Sequence, residues 1–268
     1  MKKKPVLLIV MAPTGSGKSS LIKIISKLIK VNNFEEFLID DYIEKNDLYK
    51  KKVKKILKKD KFNFDTKIIK QFEKAYFESR LKGCQSNSSK YNVKGCGEVL
   101  DHELSLAIQN KKNILFESTG KYYPKWIYDY PNNKINIKKY NYEVIIGITL
   151  VSFNELVKGN KKRVLDAISL FKKNNTNPTP RIPDIRNSAL KHNINLFINT
   201  VNQIIHNDCF KKHHKNSYCG DKPISRFIVV DNNKRPPKLL MNITEKIVEY
   251  PYKDGYKILL HNLLNSIR

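Results

Sequence analysis

The residues best suited to chemistry lie near the start of the chain, in Ala12-Pro13-Thr14-Gly15-Ser16-Gly17-Lys18-Ser19-Ser20. The stretch follows the phosphate-loop (Walker A) pattern G-x-x-x-x-G-K-[ST], with Ala12 in place of the first glycine. Gly15 and Gly17 let the backbone curl so that successive N–H groups converge on phosphate oxygens. Lys18 has the reach and charge for β- and γ-phosphates, and the Ser19 hydroxyl suits Mg²⁺. ATP with Mg²⁺ is therefore the expected cofactor.

The flanking elements must hold that loop open. Val6 to Met11 is an unbroken apolar run, as in a strand buried on both faces. From Ser20 to Lys30, Leu21, Ile24, Ile25 and Leu28 share one helical face. Strand, loop and helix in this order make a chance match in a lysine-rich chain the weaker reading. Two further strand ends carry groups for phosphoryl transfer. Glu36 to Asp40 reads as a second strand ending in Asp40-Asp41, where a general base would stand. The alternative there is a helix cap, with Asp41 followed by Glu44. Ile114-Leu115-Phe116 ends in Glu117-Ser118-Thr119-Gly120, which suits a substrate hydroxyl or metal-bound water, or simply a capped turn. Arg181, in a proline-broken loop from Asn174 to Pro183, could clamp a phosphoryl group or lie in solvent.

Composition narrows the class. The chain has 268 residues, 40% of them hydrophobic, and a net charge of +26. No apolar run is long enough to span a membrane, so a cytoplasmic protein is expected. The charge favours acidic partners, but lysine, asparagine and isoleucine crowd the whole chain. Compositional bias is preferred to nucleic-acid binding. The four cysteines form no C-x-x-C pair, and free thiols are the default. His206, Cys209, His213, His214 and Cys219 cluster without the spacing of a zinc finger, so a polar insertion is preferred to a metal site.

The rest of the chain reads as helices and strands in alternation. Lys50–Lys61 is a basic helix, and Phe62–Leu81 an amphipathic one with Phe64, Ile68, Phe72, Ala75 and Leu81 inward. Glu98–Gln109 is helical, and Tyr142–Val151 is a fourth strand. Ser152 and Glu155 form a capping box for a helix ending near Lys172. Ile185–Ile205 is helical, Phe227–Val230 is a fifth strand, and Tyr256–Ile267 is a last helix. Trp126, Tyr122 and Tyr123 could line a pocket or pack as core or rim. The expected architecture is an α/β P-loop fold, with about five mostly parallel strands and helices on both faces. One domain over 1–268 is expected, with insertions at 83–97 and 206–222 and a helical extension at 236–268, within which Leu239–Tyr250 reads as an edge strand or a short helix.

Taken in order, these islands resemble the zeta toxin family of P-loop kinases. Ala12–Ser19, Ile39-Asp40-Asp41, Phe116-Glu117-Ser118-Thr119, Arg163, Arg181-Ile182-Pro183 and Val230-Asp231-Asn232 carry the resemblance. The family's D-G-D is here a bare Asp40-Asp41, and Ser118 stands for a glycine. The resemblance implies ATP and Mg²⁺ on Lys18 and Ser19, and favours Asp41 as the base. Successive strand residues point to opposite faces, so only one of the two carboxylates is expected to face the γ-phosphate, and Asp40 is the structural one, capping the next helix. It implies substrate on Glu117 and Thr119, and phosphoryl stabilisation by Arg163 and Arg181. The acceptor it implies is a hydroxyl of a small molecule or nucleotide sugar. A polynucleotide kinase and a non-catalytic nucleotide-binding protein are the alternatives.

Overall fold

The computed structural model describes residues 4–58, 66–82, 84, 95–123, 137, 139–174, 181–207, 209, 224–233, 236–244, 262 and 264. Phe64, Trp126, His213, His214, Cys219, most of both insertions and most of the last helix lie outside these residues. In chain order the elements are β1 (Val6–Met11), α1 (Lys18–Ile29), β2 (Glu35–Phe37), α2 (Ile39–Glu44), α3 (Asp47–Leu57), α4 (Thr66–Leu81) and α5 (Cys96–Gln109). Then follow β3 (Ile114–Ser118), β4 (Glu143–Leu150), α6 (Phe153–Asn174), α7 (Asn187–His206), β5 (Arg226–Asp231) and β6 (Lys238–Thr244). The chain forms two compact units. One comprises Met1–Phe37, Ser105–Leu156 and Lys191–Arg268, the other Leu38–Leu104 and Val157–Leu190.

The first unit holds a six-stranded sheet in the order β2-β3-β1-β4-β5-β6. Neighbours from β2 to β5 pair in parallel, and β6 is antiparallel to β5. Strand β1 is fully buried, which is why it carries no polar residue. Its alternate residues Val6, Leu8 and Val10 pack with Leu21 and Ile25 of α1. Gly147 of β4 lets α1 lie close, because a Cβ there would stand 2.3 Å from Ile25 Cδ1. The chain leaves β1 for β2 on one side, whereas β4 lies on the other. The carboxyl end of β1 is thus a switch point, where open α/β sheets form their ligand crevice.

Two expectations are corrected here. Lys238–Thr244 is a strand, so the 236–268 extension is not helical over this part, and of the two readings open from Leu239 the edge strand holds there. Met241 and Ile243 are buried at a spacing of two, the strand period, and they pair with Val229 and Phe227. Strand β2 ends at Phe37 and not at Asp40. Leu38 is the N-cap of α2, and Asp40 and Asp41 fall in its first turn, where carboxylates suit the helix dipole.

The second unit is helical. Its core joins Ile43, Tyr49, Val53, Ile56, Phe72, Ala75, Tyr76, Val99, Val164 and Ile182. The basic segment of α3 is therefore one-sided: Tyr49, Val53, Ile56 and Leu57 are buried, while Lys51, Lys54 and Lys55 are exposed. Leu81 is exposed, against expectation, and Tyr76 is buried. Residue 81 lies nine positions after Phe72, about half a turn off the buried face. Cys84 and Cys96, expected as free thiols, form a disulfide with Cα atoms 4.8 Å apart. The end of α4 and the start of α5 bring them within bridging distance, which a sequence separation of 12 does not reveal. Cys209 is disulfide-bonded as well. Buried Asn46 organises the region: it caps α3 by accepting from the Leu48 N–H at 2.8 Å. Its amide nitrogen donates to the carbonyls of Ser79 and Lys82, each at 3.1 Å, at the end of α4.

Candidate active site

In the first unit, β1 delivers the phosphate loop to the carboxyl edge of the sheet. The loop is pinned at its base, where the Ala12 N–H donates to the Ser118 carbonyl at 3.1 Å. Ala12 is buried and does not have a positive φ, so its position requires no glycine. Gly15 and Gly17 differ: both have a φ of 82°, in the left-handed region that side chains disfavour. The Ser16 N–H donates to the Pro13 carbonyl at 3.2 Å, closing the turn between them. Gly17 is also the N-cap of α1 and brings no side chain to it. The first-turn N–H groups of α1 thus receive no cap from the N-cap residue, and they carry the positive end of the helix dipole. The loop has the curvature and the donors an anion requires.

The neighbouring strand supplies the counter-charge. Glu117 lies in register with Val10 near the end of β3, and its Oε2 is 3.4 Å from Lys18 Nζ. Ser118 Oγ accepts from the Gly120 N–H at 3.1 Å, so this hydroxyl serves a turn. Thr119 follows, half-buried, and Ser19 is exposed on α1. Among the described residues no group of three His, Cys, Asp or Glu could hold a metal. Mg²⁺ keeps water and substrate phosphates as ligands and takes few from protein. The oxygen donors of Ser19 and the loop fit such an ion arriving with a nucleotide. Of the aromatic trio, Tyr122 is exposed and Tyr123 is buried.

The second unit gathers Asp40, Asp41, Arg163 and Arg181 around α2. Arg181 Nη1 donates to both oxygens of Asp40, at 3.0 and 2.9 Å. The guanidinium carbon lies 4.4 Å from the centre of the Tyr76 ring, a cation–π contact. The Tyr76 hydroxyl donates to Asp40 at 2.7 Å, and the Arg181 N–H donates to Glu44 at 2.7 Å. Asp40 thus anchors Arg181 and does not cap a helix, since α2 has no side-chain cap. Asp41 is exposed. Its carboxyl sits above the usual range, because partial burial and the neighbouring Asp40 outweigh Lys45. Burial likewise raises Glu44, against the opposing effects of the Arg181 N–H and the Arg163 charge. Arg163 is exposed on α6. The two aspartates do differ in environment, but through helical spacing of about 100° and not through strand alternation.

Three residues emerge that sequence reasoning underrated. Tyr76 is not among the inward residues expected of α4, and nothing in the sequence marks its hydroxyl. Glu44 appears only as a capping partner. Asn232 appears only as the end of a motif, yet its Nδ2 donates to the Ser16 carbonyl at 2.8 Å.

No family model matches the chain, and no curated protein does. Among solved structures, the chain is similar to one from the PezAT chromosomal toxin–antitoxin system of Streptococcus pneumoniae. That match has a TM-score of 0.50 and 12% identity, over 100% of this chain and 89% of the other. A candidate kinase from Chloroflexus aurantiacus aligns at a TM-score of 0.37 and 12% identity, over 71% and 78% of the two chains, too loosely to bear on the fold. With its mostly parallel sheet and its glycine loop between β1 and α1, the chain shares the α/β fold of that toxin–antitoxin structure.

Proposed function

We propose that this protein is an ATP- and Mg²⁺-dependent phosphotransferase acting on a hydroxyl of a small molecule or nucleotide sugar. The observation that carries the reading is the glycine loop between β1 and α1, with Gly15 and Gly17 left-handed and Lys18 at the first turn. In this reading Ala12 to Ser20 cradle the phosphates, and Lys18 exchanges its Glu117 partner for phosphate oxygens. Ser19 is the protein's ligand to Mg²⁺, an ion that neutralises charge on the transferring phosphoryl group when bound. Asp41 takes the proton of the acceptor hydroxyl; its exposure and raised pKa support this choice over Asp40, which is committed to Arg181. Glu117 and Thr119 hold the acceptor, and Arg163 and Arg181 stabilise the phosphoryl group.

The lysine distribution supports a small acceptor over a nucleic-acid end. Exposed lysines occur on α1, α3, α4 and α6 alike, among them Lys23, Lys54, Lys70 and Lys161. A scatter of this kind suits compositional bias. The test is incubation with labelled ATP and panels of nucleotide sugars, nucleosides and nucleic-acid ends, beside Lys18→Ala. The substitution removes a charge-assisted phosphate contact of roughly 1.5–3 kcal/mol, so ATP affinity should fall about 10- to 150-fold. Unchanged affinity and turnover in that variant would refute the site.

A further inference from the structure

We propose that Asn232 is a positioning residue for phosphate binding, acting through the peptide between Ser16 and Gly17. The proposal rests on the nucleotide reading above and names a determinant of the same site that no loop motif contains.

Ser16 is 1% exposed, and a polar backbone group buried in this way needs a partner. Asn232 provides one, its Nδ2 donating to the Ser16 carbonyl at 2.8 Å. In a trans peptide the carbonyl and the following N–H point in opposite directions. Holding the Ser16 carbonyl toward Asn232 therefore turns the Gly17 N–H away from it, to the side from which a phosphate approaches. Asn232 is itself anchored. Its backbone N–H donates to the Leu150 carbonyl at 2.9 Å, at the end of β4. The next residue continues the tie, as Asn233 Oδ1 accepts from the Ser152 N–H at 2.5 Å. The last turns of β4 and β5 thus act as a fixed buttress for the loop.

Two details support a specific contact. A Cβ on Gly17 would stand 2.1 Å from Asn232 Nδ2, so the amide lies directly against the loop backbone. Asn232 Oδ1 is buried and finds no partner among the described residues. The amide is therefore oriented by its donor side, and the flipped amide would set oxygen against the Ser16 carbonyl oxygen.

Two near-isosteric variants test this. Asn232→Leu removes the donor without adding charge, and Asn232→Asp exchanges it for an acceptor. Binding of ATP and of inorganic tripolyphosphate is measured by calorimetry, and binding of adenosine by ligand-observed NMR. Loss of one hydrogen bond should weaken ATP and tripolyphosphate about 3- to 10-fold in Asn232→Leu and at least as much in Asn232→Asp, with adenosine unchanged. Wild-type tripolyphosphate affinity in Asn232→Leu overturns the proposal, since only charge would then matter. An equal loss for adenosine also overturns it, by assigning Asn232 a general structural role. If the variants do not fold, hydrogen exchange of the Asn232 side-chain amide in the wild-type protein decides. Protection supports the contact, and exchange as fast as in an exposed asparagine removes it. A wild-type protein that binds tripolyphosphate but not ATP refutes the nucleotide reading alone.

Discussion

Exchanging either aspartate of α2 for asparagine should separate stability from turnover. Asp40 and Arg181 form an ion pair whose side chains are 25% and 22% exposed. That pair lies between the exposed case, worth about 0.2–1 kcal/mol, and the buried case, where loss of one partner costs about 3–5 kcal/mol. Asp40→Asn leaves the Arg181 charge stacked on Tyr76 with a neutral partner, so a loss of roughly 1–3 kcal/mol is expected. In a chain of this size that is a fall in Tm of about 2–12 °C. Asp41→Asn removes a charge that the fold disfavours, and should leave stability unchanged or slightly improved. Its effect should fall on turnover, by about 10²–10⁴-fold, the usual contribution of a positioned base. ATP affinity should stay near the wild-type value, because the carboxylate makes no part of the phosphate loop. Thermal unfolding and steady-state phosphorylation of the acceptor measure the two effects side by side. The reasoning fails if Asp40→Asn is as stable as the wild type. It fails equally if a well-folded Asp40→Asn is inactive while Asp41→Asn remains fully active.

Further tests address the other groups. Glu117→Gln frees Lys18 from a competing partner, so ATP should bind up to about 5-fold more tightly while the KM for acceptor rises; weaker ATP binding would contradict the exchange of partners. Glu44 has a raised carboxyl in the folded chain, so its contribution to stability is fully present below its unfolded pKa and is lost as pH rises through the folded one. Glu44→Gln keeps an acceptor for the Arg181 N–H and should gain Tm over the wild type at pH 7, with the gain vanishing under acid; a gain independent of pH would rule out this cause. Reduction of the Cys84–Cys96 bridge, or its Cys84→Ser variant, should cost about 2–4 kcal/mol, measured by denaturant unfolding with and without reductant; coincident curves would show that the bridge adds no stability.

The glycine loop between β1 and α1 was legible because its determinants are local. A glycine forced to positive φ, an apolar run and an i, i+4 face act within a few residues, and β1, the loop and α1 follow from them. The same holds for one half of the capping box, where the Glu155 N–H donates to Ser152 Oγ at 3.4 Å, whereas the Ser152 N–H goes to Asn233 Oδ1 and not to Glu155. Strand β2 was misjudged because Phe37-Leu38-Ile39 is one apolar run whose members serve different cores. Phe37 pairs with Phe116 in the sheet, and Ile39 packs on the helical core. Only tertiary context divides such a run. The pairing of Cys84 with Cys96, the use of Asp40 to hold Arg181 and the role of Tyr76 were likewise beyond the sequence. They depend on residues 12, 141 and 36 positions apart meeting in space. Asn232 meets Ser16 across 216 residues, at a point set by the parallel order of β1, β4 and β5. Local sequence determines which backbone turns are possible and which faces must be buried. The folded chain decides which polar groups find one another, because burial makes each donor and acceptor seek a partner wherever topology brings one.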